Sequence, residues 1–320
     1  MQKIFLFPIL FLLSCQPKVG DGSFAGQEKL PPSDSPYMVV LGIAQDAGYP
    51  QAGCLKSCCQ LAWKDKHERR MVSCLALVDP TTNEGWLFDA TPDFKEQLHR
   101  LENLNPDAPT QLAGIFLTHA HIGHYTGLMH LGREVMGAKN VPVFAMPRMR
   151  AFLENNGPWS QLVSLHNIKL FPLQADSSIV LNNKIKVTPV KVPHRDEFSE
   201  TVGFQIEGPQ KKVLFIPDID KWNLWDRRIV EVVKAVDYAF LDGSFFQNGE
   251  IPGRDMSEIP HPFVVESMEL FKNLSNADKA KIHFIHFNHT NPVLHKDSEA
   301  RRRVVEAGFN IAEEGQLVPL

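Results

Sequence analysis

Residues 117–127 read LTHAHIGHYTG and place His119, His121 and His124 within six positions, directly after the apolar run GIFLT of residues 114–118. An apolar, β-branched run that gives way to polar residues reads as a strand ending in a turn. Neutral imidazole is a ligand for zinc, iron and similar ions. Single histidines are usually satisfied surface or core residues, but three at i, i+2 and i+5 on a strand-to-helix turn are hard to explain by packing. Imidazoles at a strand's carboxyl edge can converge on one point, and this ties the fold to that edge.

Further candidates each close a strand pattern: Asp89 after WLF, His194 after the run of residues 187–192, Asp218 after VLFIP and His286 after residues 282–285. Taken singly, such a residue is more often a turn or cap residue. Strands are expected at 38–43, 74–78, 86–88, 114–118, 141–145, 168–172, 185–192, 202–206, 212–216, 238–241 and 282–287. Helical spacing is clearest at 94–101, 125–136, 224–236, 263–274 and 298–307. The two kinds interleave, yet residues 168–216 hold consecutive strands with no helix between them, so the sheets must be partly antiparallel. The fold class is α/β. No Gly-x-Gly-x-x-Gly follows the first strand, which argues against a dinucleotide-binding fold.

In this order, Asp89, the run His119, His121, Gly123 and His124, then His194, Asp218 and His286, the chain resembles the metallo-β-lactamase superfamily. The resemblance covers nearly all of residues 38–320. It implies an αββα sandwich, two mixed sheets packed face to face with helices outside, and one or two metal ions at one sheet edge. Within the superfamily, GYPQAGC, LFDATPDFKEQL, IHFNHTNP and DYAFLDGSFFQNGE are similar to the branch containing pyrroloquinoline quinone biosynthesis protein B. The Cys-rich segment is similar to that of the phosphonate-pathway cyclic phosphodiesterases. By this resemblance His119, His121 and His194 hold one ion, His124 and His286 hold a second, Asp218 bridges, and Asp89 orients a ligand imidazole. Gly123 replaces the carboxylate of the family's His-x-His-x-Asp-His signature, so the second position loses a negative ligand and a proton carrier.

Cys54, Cys58 and Cys59 lie in one loop, and three thiolates plus one imidazole complete a closed structural zinc site. The resemblance supplies His289 as the fourth ligand. The spacing departs from the relatives' Cys-x-Cys-x-x-Cys, since Lys56 takes the middle position and Cys58 is added. A disulfide from Cys54 to either neighbour, or free thiols, are the alternatives. Cys74 is most simply a buried small hydrophobe.

Asp242 closes the strand pattern at 238–241, where an Asp-Gly turn is the plain reading, and His261 sits between prolines ahead of a helix pattern. Both are placed in the pocket. The loops 155–164 and 243–261 carry Trp159, Phe245 and Phe246 and are expected to line it.

Three functions stay open. The first is a metal-dependent hydrolase that attacks a phosphodiester, ester or amide through a metal-bound hydroxide, with zinc at one or two active-site positions and a further structural zinc. The second is an iron-dependent oxygenase, as the resemblance to the quinone-cofactor protein implies; iron or manganese suits the active site in these readings. The third is a non-catalytic lipoprotein with a metal-stabilised binding surface.

The first 14 residues are a basic start, an apolar run and Ser14, and they read as a secretory signal. Ser14-Cys15 after two leucines resembles a bacterial lipobox, with Cys15 acylated; a plain signal peptide with an incidental cysteine is the alternative. Residues 15–37 read as a flexible tether and residues 38–320 as one domain. This implies a lipid-anchored protein of a bacterial cell envelope, with the membrane engaged only through the anchor. A net charge of −4 gives no nucleic-acid surface, Arg301 to Arg303 reads as a solvated helix face, and the remaining partner is a small-molecule substrate.

Overall fold

Alternate residues of three buried runs face opposite ways, and both faces are apolar. Met38, Val40, Leu75, Leu77 and Phe116 point into one core, while Val39, Leu41, Ala76, Val78, Ile115 and Leu117 point into another. A sheet with two apolar faces must be covered on both. The computed structural model of the protein describes residues 34–105 and 107–320. The leader, Cys15 and the tether up to residue 33 lie outside the described residues.

The strands are β1 (Tyr37–Gly42), β2 (Cys74–Asp79), β3 (Glu84–Phe88), β4 (Gln111–Phe116), β5 (Val141–Ala145), β6 (Ile168–Pro172), β7 (Ile179–Val180), β8 (Lys186–Lys191), β9 (Val202–Glu207), β10 (Lys212–Ile216), β11 (Tyr238–Asp242), β12 (Ile282–Ile285), β13 (Asn310–Ile311) and β14 (Leu317–Pro319). They form two sheets of seven, in the orders β14-β1-β2-β3-β4-β5-β6 and β13-β12-β11-β10-β9-β8-β7. Both are mixed: β3 to β6 and β10 to β13 are parallel, the remaining pairs antiparallel. Of the strand-only middle, β6 joins the first sheet beside β5, and β7 to β10 form an antiparallel meander in the second, the antiparallel content expected there. The sheets pack through Phe88, Phe116, Phe204 and Phe215, with Phe88 to Phe204 ring centroids 5.4 Å apart and Phe116 to Phe204 5.6 Å. Truncating one such ring to alanine costs about 3–5 kcal/mol. The outer core of the first sheet is closed by the helices Phe94–Glu102 and Pro147–Asn155, the latter through Met149 and Leu153.

Several helices depart from their periodicity. The pattern at 125–136 yields a four-residue helix, Ile122–Tyr125, and a 3-10 segment, Thr126–Leu131, with turn beyond. Gly132 and Gly137 end it, Gly137 at φ +55°. The pattern at 224–236 shrinks to Ile229–Lys234. Conversely, the Cys-rich segment is not all loop: Cys58 and Cys59 open the helix Ser57–Lys64. The stretch 155–164 is not a pocket loop either, since Trp159–Ser164 is helical and Trp159 packs on Tyr125 and Phe152 at 4.9 and 5.6 Å. No helix among the described residues is long and apolar enough to cross a membrane.

Candidate metal centre

In the parallel half of each sheet the strands end at the same edge, so residues just past their carboxyl ends are brought together. Asp89 follows β3, His119 and His121 follow β4, Asp218 follows β10, Asp242 ends β11, and His286 follows β12. His194 joins from the end of β8. Asp89 and His286 have φ of +74° and +68°. Non-glycine residues held there carry strain that the surrounding structure must enforce, as at ligand clamps.

His119 Nε2 lies 2.9 Å from His121 Nδ1 and 3.3 Å from Asp218 Oδ2, and His194 Nε2 lies 3.2 Å from Asp218 Oδ1. Four ligands on a tetrahedral ion with bonds of ~2.0–2.1 Å stand ~3.3 Å apart, so this spacing fits one ion. Beside it is a second group. His124 Nε2 lies 3.3 Å from Asp46 Oδ1 and 3.9 Å from Asp218 Oδ2, and His286 Nε2 lies 3.7 Å from the same Asp46 oxygen. Asp218 therefore borders both groups, where a bridging carboxylate is needed.

Four of the five imidazoles are turned by a partner on the far nitrogen. Thr118 donates to Asp89 from its hydroxyl at 3.0 Å and accepts from His119 Nδ1 at 2.9 Å. Nδ1 of His124 donates to Asp89 at 2.7 Å, that of His194 to Asp220 at 2.9 Å and that of His286 to Ser244 at 3.0 Å. These bonds engage Nδ1 and turn Nε2 of all four rings toward the centre, the atom a metal takes. The buried atoms Asp46 Oδ1, His124 Nε2, His194 Nε2, Asp218 Oδ1 and His286 Nε2 have no hydrogen-bond partner. Orphaned buried donors and acceptors are rare and costly, and here five of them converge. The residues present fit metal ions at both positions.

Charge supports the same conclusion. Burial alone would push the Asp218 carboxyl up, but His194 and His261, with hydrogen bonds from His119 and His121, hold it well below the usual carboxylate range. Burial opposes charge on His194 too, yet Asp218 and Asp220 raise it to about 10. Without an ion His194 thus holds a proton that a metal must displace, while Asp218 stays charged to receive the ion.

Asp46 was not foreseen. It follows β1, and it occupies the place opened by Gly123: a Cβ on Gly123 would sit 2.5 Å from Asp46 Cα and 2.5 Å from its Oδ1. The second position has therefore not lost its carboxylate, which comes instead from another strand end. Asp220 was also missed, although it stands two residues from Asp218.

Asp242 and His261 meet in the pocket: His261 Nδ1 lies 2.8 Å from Asp242 Oδ2 and 3.2 Å from Asp218 Oδ1. Asp242 also accepts from the Ile219 and Ser244 amides, so it positions this edge without facing open space. Phe245 borders His261 at 6.0 Å, while Phe246 is in the main core.

The fourth constellation is the cysteine cluster. Cys54 Sγ and Cys58 Sγ are 3.7 Å apart, and His289 Nδ1 lies 3.7 Å from Cys58 Sγ and 3.4 Å from Cys59 Sγ. Sulfurs on one zinc with bonds of ~2.3 Å stand ~3.8 Å apart, whereas a disulfide needs ~2.0 Å. All three are free thiols, so the disulfide alternative is not the arrangement found. Cys74 is fully buried beneath Asp89, whose carbonyl lies 3.7 Å from its sulfur.

Comparison with known proteins agrees with this architecture. Residues 86–287 match the model of the beta-lactamase superfamily domain. The chain is 24% identical to coenzyme PQQ synthesis protein B of Methylorubrum extorquens over 310 residues, covering 89% of this chain and 100% of that protein. The same protein of Pseudomonas protegens is 26% identical over 316 residues, with 89% and 100% covered. Zn(2+)-bound PqqB from Methylobacterium extorquens superposes with a TM-score of 0.74 at 23% identity, covering 89% of this chain and 100% of that one. A diphosphatase of the PhnP family superposes at 0.61 and 22%, with 89% and 97% covered.

Proposed function

As the chain belongs to the metallo-β-lactamase superfamily, we propose that it is a metal-dependent hydrolase acting on a phosphodiester or ester. The observation that carries this reading is the pair of adjoining ligand groups, five of whose buried atoms have no partner. Ions bound there would lower the pKa of a water molecule and polarise the phosphoryl or carbonyl oxygen it attacks.

The chain's own residues do the rest. His119, His121 and His194 fix one position, Asp46, His124 and His286 the other, and Asp218 spaces the two. Asp89 holds two of these elements at once, since its carboxylate accepts from both Thr118 and His124. His261 is placed to hand a proton to a leaving group. Burial would lower its pKa, but Asp242 and Asp218 outweigh that and raise it, the direction a proton donor needs. Zinc is the ion the donor set and the zinc-bound structural relative favour.

The test pairs metal analysis with turnover. Zinc-loaded protein should carry two active-site ions and hydrolyse bis(4-nitrophenyl) phosphate, with His119→Ala abolishing turnover. His261→Gln should keep both ions and slow substrates with poor leaving groups far more than those with good ones. Metal-replete protein that turns over neither phosphodiesters nor esters overturns the proposal.

One observation favours a second reading. Asp46, His124 and His286 alone form a set of two histidines and one carboxylate, which suits a single iron in oxygen chemistry. Native protein holding one iron and consuming oxygen decides for that reading. We also propose that Cys15 anchors the domain to the cell envelope.

A further inference from the structure

Gly123 moves a ligand, and the move changes what the second position depends on. In a His-x-His-x-Asp-His signature the carboxylate and its neighbouring histidines share one turn. Here the turn after β4 supplies only His124, and the carboxylate comes from Asp46, on the segment that leads from β1 into the cysteine cluster. Asp46 is eight residues before Cys54, and His286 is three residues before His289. Two of the three residues particular to this position therefore lie on the two chain segments that the cluster clamps together.

The intervening contacts are stiff. The Gln45 amide donates to the Phe287 carbonyl at 2.8 Å, and the Phe287 amide donates to the Ile43 carbonyl at 2.8 Å, so Asp46 and His286 are held in register across a two-bond ladder. Tyr49, three residues beyond Asp46, exchanges backbone bonds with Arg70 at 2.9 Å and donates its hydroxyl to the Cys58 carbonyl at 2.7 Å. On the other side, the Asn288 amide donates to the Ser244 carbonyl at 2.9 Å, and the Ser244 hydroxyl takes the His286 Nδ1 bond. The other position has no such link: His119, His121 and His194 come from β4 and β8, far along the chain from either clamped segment.

We propose that zinc in the Cys54, Cys58, Cys59 and His289 cluster sets the affinity of the Asp46, His124 and His286 position for its own ion. The inference rests on the two-ion reading above. A cluster closed around zinc fixes the separation of the segments carrying Asp46 and His286, and metal ligation tolerates only ~0.2 Å of error. An open cluster leaves the two-bond ladder as the remaining tie between these segments, so the separation is less tightly held. His124, held by Asp89, and Asp218 remain in place, so the position weakens and does not vanish. Coupling of this kind is reciprocal.

Full-length protein is equilibrated in buffers of fixed free zinc, and zinc per chain is counted by mass spectrometry, with thiolate-bound metal read separately by cobalt charge-transfer absorption. Wild type is expected to bind three ions. Cys58→Ser should lose the cluster ion and, in addition, weaken one active-site ion tenfold or more while the other keeps its affinity. Two active-site ions bound by Cys58→Ser as tightly as by wild type overturn this inference alone. Only one active-site ion in wild type at saturating zinc overturns the two-ion reading and this inference with it. The second arm leaves the cysteines intact: at free zinc too low to fill the position weakened by Asp46→Asn, zinc in the thiolate cluster should weaken by the same factor. An unchanged cluster affinity there also overturns the coupling.

Discussion

Replacing Gly123 by alanine adds one methyl group and removes no ligand, yet it is expected to cost the second ion. The added carbon would stand 2.5 Å from Asp46 Cα and 3.1 Å from Asp46 Cβ, where ordinary carbon contacts are ~3.5–4.0 Å. The obstructing Cα belongs to backbone and cannot rotate aside. Asp46 must therefore retreat by roughly 1 Å, several times the ~0.2 Å that coordination tolerates. Losing a properly placed ligand should cost at least the 10–100-fold in affinity that misplaced supporting residues cost, about 1.4–2.8 kcal/mol. The assay is zinc per chain against a competing chelator, together with phosphodiester turnover. One ion per active site should be lost at free zinc levels that saturate wild type, and turnover should fall with it, while the helical and sheet signal is unchanged. The sharper version is Gly123→Asp. It restores the spelling of the family signature, and by motif logic it should strengthen the site; by geometry it displaces Asp46 and brings a carboxylate on the same clashing Cβ. If Gly123→Ala binds both ions as tightly as wild type, Asp46 is not a ligand; if Gly123→Asp binds them more tightly, the motif logic wins over the steric one.

Three further outcomes follow from other parts of the molecule. Asp89→Asn keeps the volume but loses the carboxylate that turns His124 directly and His119 through Thr118, so zinc affinity should drop about 10–100-fold at the second position and by less at the first, as read by chelator competition. His283 is stacked on Phe240 at 5.0 Å and is lowered by burial to about 4 from its ordinary value near 6.5. The unfolded chain then binds this proton more readily, so stability is full above pH 6.5 and falls by up to about 3 kcal/mol as pH drops through 4; His283→Phe should flatten that acid limb in chemical denaturation, and an unchanged slope would count against it. Cys15→Ser should move the protein from the membrane fraction to the soluble fraction of a bacterial host, and unchanged fractionation would remove the anchor.

The sequence made the sheets legible because their signal is local. Buried runs such as VLFI at 213–216 have no solvated face and leave few alternatives to a strand. The three strands that escaped, β7, β13 and β14, have only two or three residues, too few for any period to register. Helices were less legible wherever glycine cut a good apolar period, as after Leu131. The metal residues were legible for a different reason: Asp89, His119, His194, Asp218 and His286 each close a strand pattern, and parallel strands deliver their ends to one edge.

Asp46 escaped although it obeys the same rule. It stands four residues past Gly42, the last residue of β1, in a segment whose Gly48 and Pro50 read as turn. Asp89 follows its strand directly, whereas Asp46 stands in the turn beyond its strand and has no counterpart in the family signature. The information was present at the other end of the exchange, in Gly123. A glycine inside a ligand motif is a statement about space as well as about a missing side chain, since something must occupy what the side chain vacated. Here the occupant is backbone, 2.5 Å from where a Cβ would be, and it carries the missing charge with it. Neither half of that substitution is tolerable alone: an aspartate at 123 meets Asp46, and a glycine at 123 without Asp46 leaves His124 and His286 facing a cavity with only Asp218 to share. The two positions, 77 residues apart in sequence, should therefore change together in any chain that keeps both ions.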